Sequence, residues 1–443
     1  MHAITPLQLH RFEEAFASDP QRRLAMHAMS KSELNDLAFV GGVAATLRHK
    51  FSLEIPTMEV TNQKESGRCW LFAATNVLRE RIAKARNMEK FELSQSYLAF
   101  YDKFERANYF LESMMETSDL PTNDRTVSFI LSTGVHDGGQ WDMFANIVRK
   151  YGIVPKDVYD ETYQSSHTRR LNYVLNRYLK IGALRLRTLC RDGAAPTELQ
   201  AVKEEMLCKI YGFLCSCYGE PPKTFDFEYL DKDRGYHVET GLTPLTFAQR
   251  FGITALLEDT VSIIHAPTQD KPFNRTYTIR HLGNAADGQI IRHLNLSLED
   301  FKGAILRQMQ DGKVVWFGAD VGHYHDRPQG LWDDRLFDYS LLSGLDLEMD
   351  KRDALDYRLS AMDHAMVLTG VHLEDGKPVR WRIENSWGDD RGDKGYYVCS
   401  DSWFNQYVFQ AAVEKPYLGD LAALASLEPI VLDPWDPMGT LAR

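Results

Sequence analysis

Apolar residues recur at helical spacing over residues 1–258, then give way to short β-branched and aromatic runs bounded by glycine. The chain therefore predicts helices first and sheet afterwards. Residues 8–50 read as helical, with Leu37, Ala38, Val40 and Leu47 as apolar positions. Met58-Glu59-Val60-Thr61 reads as a short strand. An amphipathic helix from Cys69 to Ala83 carries Phe72, Ala73, Val77, Leu78 and Ile82 at three-to-four spacing. Further helices are predicted from Ser94 through Phe110 and from Trp141 to Lys150, the second preceded by a turn-rich loop at Ser132–Gly139. Residues 161–258 are mostly helical, with breaks at Gly193 and Pro221-Pro222. Beyond them, Val314–Phe317, Ala365–Leu368, Arg380–Ile383 and Tyr396–Val398 read as strands of an antiparallel sheet. The tail, Pro434 to Arg443, holds too much proline and glycine for a helix and reads as an extended arm. No internal repeat or low-complexity segment interrupts this order.

Composition narrows the class. At 443 residues, two or three structural units are expected, and 44% hydrophobic with 26% charged residues is ordinary for a globular chain. No stretch approaches the roughly 20 unbroken apolar residues that span a bilayer. Met1-His2-Ala3-Ile4-Thr5-Pro6 lacks the basic start and apolar run of a secretory signal, so none is expected. Six cysteines (69, 190, 208, 215, 217 and 399) make no disulfide framework in a chain this long, which points to a reducing, cytoplasmic setting. A net charge of −11 argues against nucleic acid as a partner.

Four side chains carry the chemistry. A thiol attacks a carbonyl as thiolate, and Cys69 opens a helix, where the macrodipole favours the anion. His364, in Asp363-His364-Ala365, is the candidate base and later the acid for a leaving amine. It lies 364 − 69 = 295 residues downstream, which spatial assembly makes irrelevant. Asn385, in Glu384-Asn385-Ser386-Trp387-Gly388, would hold the imidazole in plane, and Trp387 would shield that bond. The Gln63 amide and the Cys69 backbone N–H are the candidate oxyanion donors. Each residue alone is weak evidence; the ordered set is strong. Asp363, beside His364, is set aside because adjacent strand residues face opposite ways.

This set resembles the papain superfamily and, more closely, the bleomycin hydrolase/aminopeptidase C family, with motifs from about Thr57 to Gly388 and a similar C-terminal arm at Trp435–Gly439. The resemblance implies an α+β papain-like cysteine protease fold, with a helical left domain, an antiparallel β right domain, a large helical insertion and a C-terminal arm. It implies Cys69 as nucleophile, His364 as base, Asn385 as orienter and Gln63 in the oxyanion hole, with no metal or other cofactor. Gly138-Gly139 is similar to the Gly-Gly that pairs with an extended substrate, and Trp387 and Ala442 join it as candidate substrate-binding residues. Two departures from secreted papain-type chains stand out: Ser66 replaces the disulfide-bonded cysteine of Cys-Gly-Ser-Cys-Trp, and Arg68 replaces its serine. The long Cys-to-His separation implies an insertion. Expected units are therefore an N-terminal helical extension (1–50), a helical domain with Cys69 (51–160), a helical insertion (161–258), a β-rich domain with His364 and Asn385 (259–430) and an arm in the cleft (431–443).

The activity so implied is a cytoplasmic cysteine aminopeptidase of broad specificity acting on peptides. The resemblance also implies self-association into a homohexamer, and removal of Arg443 by self-cleavage to leave Ala442 at the end. The alternatives are an endopeptidase, an inactive papain-fold scaffold, and a transglutaminase or acyltransferase. Intact Gln63, Cys69, His364 and Asn385 weigh against the scaffold, and Asn in place of Asp weighs against the last. Cys208, Cys215 and Cys217 with His237 fit no common zinc spacing, and His323-x-His325-Asp326 reads as a solvated loop.

Overall fold

A computed structural model describes residues 1–442. Its centre is a mixed twelve-stranded sheet among those residues. Along its middle run Thr260–Ile264, Val408–Glu414, Val315–Ala319, His364–Glu374, Lys377–Glu384 and Tyr396–Ser400, each antiparallel to the next. The runs of Val, Ile, Trp and Phe form strands buried on both faces, as at Val315–Ala319, which is buried throughout. Parallel pairings add the edges, including Ile430–Leu432 on Arg275–Ile279.

The α+β architecture arises because helices pack against this sheet. Cys69–Ala85 lies against the His364–Glu374 strand, and Gln95–Glu116 and Trp141–Tyr151 pack behind it. Ser94 caps the second of these, its hydroxyl accepting from the Tyr97 N–H at 3.0 Å. The long helices Arg169–Arg191 and Pro196–Tyr218 dock on Gln95–Glu116 through Leu171, Leu175, Leu179, Met206, Ile210 and Leu214. Gly182 permits their close approach, since a Cβ there would lie 1.7 Å from Met206 Cε.

Several expectations are corrected. The helical pattern over 8–50 passes over Pro20, which starts a second helix, so the segment is four short helices: Pro6–Ala17, Pro20–Met29, Leu34–Ala38 and Gly41–Ala44. Residues 58–61 form no strand; the pairing strand is Leu53–Glu54, bound to Gly370 and Val371. The helical stretch 161–258 contains a hairpin, Phe225–Leu230 with Tyr236–Leu242, whose alternating apolar residues pack Phe227 against Phe247. The division at 430/431 falls inside the Ile430–Leu432 strand. The tail is not extended: Pro437–Ala442 winds into a short 3₁₀ turn with Pro437, Met438, Gly439, Leu441 and Ala442 buried. Arg443 and the expectation of its trimming lie outside the described residues.

Candidate active site

Cys69 is the first residue of its helix, so its backbone N–H is among the first-turn donors that have no intrahelical acceptor. That helix is fixed from below. Arg79 and Asn76 each donate to Glu384 Oε1 at 2.7 Å, and Asn76 also donates to Thr61 Oγ1 at 3.0 Å. Arg79 and Glu384 are almost fully buried, so neither charge has water to satisfy it and the pair ties the Cys69 helix to the strand ending at Glu384.

The sheet register then delivers the other partners. Val367 faces Glu384 across an antiparallel pair, so the start of one strand, His364, and the exit of its neighbour, Asn385, fall at the same edge. His364 Nε2 lies 2.8 Å from Asn385 Oδ1. The same oxygen accepts the Ser386 N–H at 2.8 Å. A backbone N–H only donates, so the atom it meets is oxygen and the facing ring nitrogen carries the hydrogen. His364 is thereby held in the Nε2–H tautomer, with Nδ1 left to receive a proton. Trp387 stacks on the imidazole at 4.7 Å between centroids and 29° between planes.

Gln63 sits in a tight turn. Its Nε2 donates to Ser66 O at 2.6 Å, its Oε1 accepts from Ser386 Oγ at 2.7 Å, and the amide retains a second hydrogen. Lys64 beside it adopts a left-handed φ of 54°. Asp137 anchors the far side: its carboxylate accepts from Gly67 N at 3.0 Å, Lys103 Nζ at 2.6 Å, Asn172 Nδ2 at 2.9 Å and Thr168 Oγ1. Burial opposes ionisation there, but Lys103 and these hydrogen bonds hold the carboxyl well below the usual carboxylate range. The Asp137 carbonyl also accepts from Trp70 Nε1 at 2.6 Å. At Gly139 the close approach is to protein: a Cβ would stand 2.3 Å from the Trp70 ring. Gly138 lines the cleft and its carbonyl accepts from Arg106.

A cleft of about 540 Å³ brings together Gln63, Gly67, Cys69, Gly138, Asp363 and His364. The tail closes one side of it through Thr440 and Leu441. Ala442 lies one step away, in a smaller cavity of about 50 Å³ that shares His136 with the cleft. Gln140 Nε2 fixes the turn by donating to Met438 O at 2.9 Å, Lys271 pairs with Asp436 at 2.9 Å, and Arg125 lies 3.7 Å from the Trp435 ring centroid. Asp363 does precede its strand, and its Oδ1 accepts from the Val321 N–H at 2.9 Å.

Burial dominates the electrostatics. It pushes the Cys69 thiol up to about 12, against a hydrogen bond from the Ala365 backbone. It lowers His364 to about 4, with Arg327 adding to the effect and the Asn385 bond opposing it. Burial therefore disfavours either charge made alone, whereas a proton passed from Cys69 to His364 would create two opposite charges in the same cleft. No group of three or more His, Cys, Asp or Glu suited to a metal occurs among the described residues. His237, considered earlier with the helical cysteines, bonds Asp231 at 2.8 Å instead.

Sequence reasoning missed Asp137, Glu384, Arg79 and Asn76. The available signals were Asp137 inside the turn-rich loop, Glu384 directly before Asn385, and polar residues at helix positions where core packing calls for apolar ones.

The family model of the Peptidase C1-like family matches residues 3–439. An aminopeptidase C of Lactobacillus delbrueckii subsp. lactis is 48% identical over 396 residues, 88% of each chain. A bleomycin hydrolase of Homo sapiens is 39% identical over 437 residues, 96% of each chain. The crystal structure of PepW from Lactobacillus rhamnosis HN001 (DR20) superposes with a TM-score of 0.96 at 44% identity, covering 99% of both chains.

Proposed function

This chain belongs to the Peptidase C1-like family, and on that footing we propose that it works as a cysteine aminopeptidase, releasing N-terminal residues from peptides with broad side-chain tolerance. The observation that carries the reading is the His364 Nε2–Asn385 Oδ1 bond beside Cys69 and Gln63 in one cleft, with the C-terminal turn closing one side. In the proposed reaction, His364 Nδ1 takes the Cys69 proton as Sγ attacks the scissile carbonyl carbon. The carbonyl π pair moves to oxygen, where the free Gln63 N–H and the Cys69 backbone N–H stabilise it. Collapse of that intermediate expels the amine, which receives the proton from His364, and leaves a thioester on Cys69. Water, deprotonated by the same imidazole, then attacks the thioester and regenerates the thiol. Asn385 keeps the ring oriented through both proton transfers.

Specificity for N-termini is assigned to the tail. Thr440 and Leu441 fill subsites that a longer peptide would need, and a terminal carboxylate at Ala442, once Arg443 is removed, would pair with the substrate α-ammonium. Gly138, Gly139 and Trp387 complete the substrate walls in this reading.

A homohexameric, cytoplasmic enzyme is the proposed setting. Self-association is supported by the pair of N-terminal helices, Pro6–Ala17 and Pro20–Met29, which bury none of their residues and leave Leu7, Phe12 and Leu24 exposed. Segment 1–50 is then an element of assembly, while segment 161–258 also reaches the cleft through Asn172. No helix among the described residues is long and apolar enough to cross a membrane. The test is cleavage of free against N-acetylated peptide amides, with and without a thiol alkylator. Hydrolysis of free termini only, lost on alkylation, is expected; equal cleavage of blocked peptides would make the enzyme an endopeptidase.

A further inference from the structure

We infer that Arg68 and Glu161 form a charge-neutral clamp that positions the oxyanion loop, acting as positioning residues for Gln63 and Cys69; this rests on the catalytic roles proposed above. Arg68 immediately precedes the nucleophile and is 1% exposed, a rare placement for a guanidinium. Its Nη1 and Nη2 donate to the two Glu161 oxygens at 3.0 and 2.9 Å, the planar fork-to-fork arrangement that fixes orientation as well as distance. Its third donor, Nε, meets Ser66 Oγ at 2.9 Å.

From that hydroxyl the constraint passes straight to the oxyanion residue. Ser66 Oγ donates to Gln63 O at 2.6 Å, and Ser66 O accepts the Gln63 side-chain amide. Glu161 is itself fixed, accepting from Ser165 Oγ at 2.5 Å and from Ser166 Oγ at 3.2 Å. Burial opposes its charge, but Arg68 and the serines hold the carboxyl below its usual range. The 161–168 segment also touches the loop through the Glu65–His167 bridge.

Ser66 and Arg68 are the two positions at which this chain departs from the secreted papain-type motif, and both lie in the clamp. Where that motif pins the loop covalently, this chain uses a buried ion pair and a shared hydroxyl. The pair carries no net charge, so its field at Cys69 is that of a dipole and weaker than that of an unpaired ion. A displacement of about 1 Å of an oriented group costs about a hundredfold in rate. Loosening the clamp is therefore expected to act on the oxyanion and not on the thiol.

The test compares the full-length enzyme with the charge-conserving double variant Arg68→Met/Glu161→Gln and with Glu161→Gln alone. Three quantities are read: kcat and KM on a peptide amide, the inhibition constant of a peptide aldehyde, and the rate of Cys69 alkylation by iodoacetamide. The aldehyde adds the thiol to its carbon and places the former carbonyl oxygen among the oxyanion donors, whereas alkylation needs no such donors. The expected result for the double variant is a fall of about 10- to 100-fold in kcat and in aldehyde affinity, with KM and alkylation rate within about twofold of wild type. Arg68→Lys, which keeps the charge but loses the fork and the Ser66 contact, is expected to restore only part of the loss. Aldehyde affinity unchanged in folded Glu161→Gln, or aldehyde affinity and alkylation falling in parallel, overturns the clamp. Should the double variant not fold, the aldehyde affinity of Glu161→Gln decides, because this variant keeps the volume and a hydrogen-bonding oxygen but leaves the Arg68 charge unpaired beside Cys69. Failure of the underlying reading would show earlier, in wild-type enzyme that is not inhibited by the aldehyde or is alkylated elsewhere without loss of activity.

Discussion

Deleting Thr440–Arg443 removes the part of the tail that lines the Cys69 cleft and leaves its anchors in place. Trp435 still meets Arg125, Asp436 still pairs with Lys271, and Met438 O still accepts from Gln140. The main packing lost is Leu441, 2% exposed and poised above Gly318, where a Cβ would stand 3.3 Å from its Cδ2. Burying a leucine contributes about 1.5–3 kcal/mol, while ordering a backbone residue costs about 1–2 kcal/mol each. The chain entropy that the deletion frees opposes the burial it removes, so the truncated enzyme is expected to melt within a few degrees of the intact one. Specificity changes far more. A hydrogen bond between charged groups contributes about 1.5–3 kcal/mol net, which at about 1.36 kcal/mol per decade corresponds to roughly 10- to 150-fold. The ratio of kcat/KM for a free peptide amide to that for its N-acetylated form should fall by that factor, and internal bonds should become cleavable. A truncated enzyme with native melting and native Cys69 alkylation that remains a strict aminopeptidase would show that the tail does not read the N-terminus.

Three further outcomes are expected. Cys69→Ala should abolish hydrolysis, by orders of magnitude, at unchanged melting temperature, because nucleophile and base act as a unit; a tenth of wild-type activity would remove Cys69 from the mechanism. Gly139→Ala should destabilise by about 1–3 kcal/mol, because its Cβ would enter the Trp70 ring at 2.3 Å; an unchanged denaturation curve would contradict the packing described. The acid limb of kcat/KM should follow His364, whose pKa is lowered from 6.5 to about 4. A base with a lowered pKa stays neutral, and able to accept the thiol proton, down to that pH, so activity should persist at pH 5 and fall near 4; an acid limb near 6.5 would mean a solvated imidazole.

Legibility followed the range of the interaction. The helix at Cys69 and the strands at 315–319, 364–374, 377–384 and 396–400 were readable because periodicity and β-branched runs act locally. The Cys, His, Asn and Gln set was readable because its types and order are specific to one chemistry. The strand at Leu53–Glu54 was not, since two residues carry no period and only the His364–Glu374 edge makes them a strand. The same holds for the tail. Its glycine and prolines forbid a regular helix, but the 3₁₀ turn is selected by burial of Met438, Leu441 and Ala442 against elements more than 100 residues away.

By itself, then, the sequence determined the reaction class, the fold class and the four side chains of the proposed site, because each is written in residue type and order. Tertiary structure alone decided the tautomer of His364, the depressed imidazole and raised thiol, the anchoring by Asp137 and Glu384, and the closure of the cleft by Leu441. Each of these depends on which atoms meet after folding and on how much water burial removes, and neither quantity is a property of neighbouring residues in the chain.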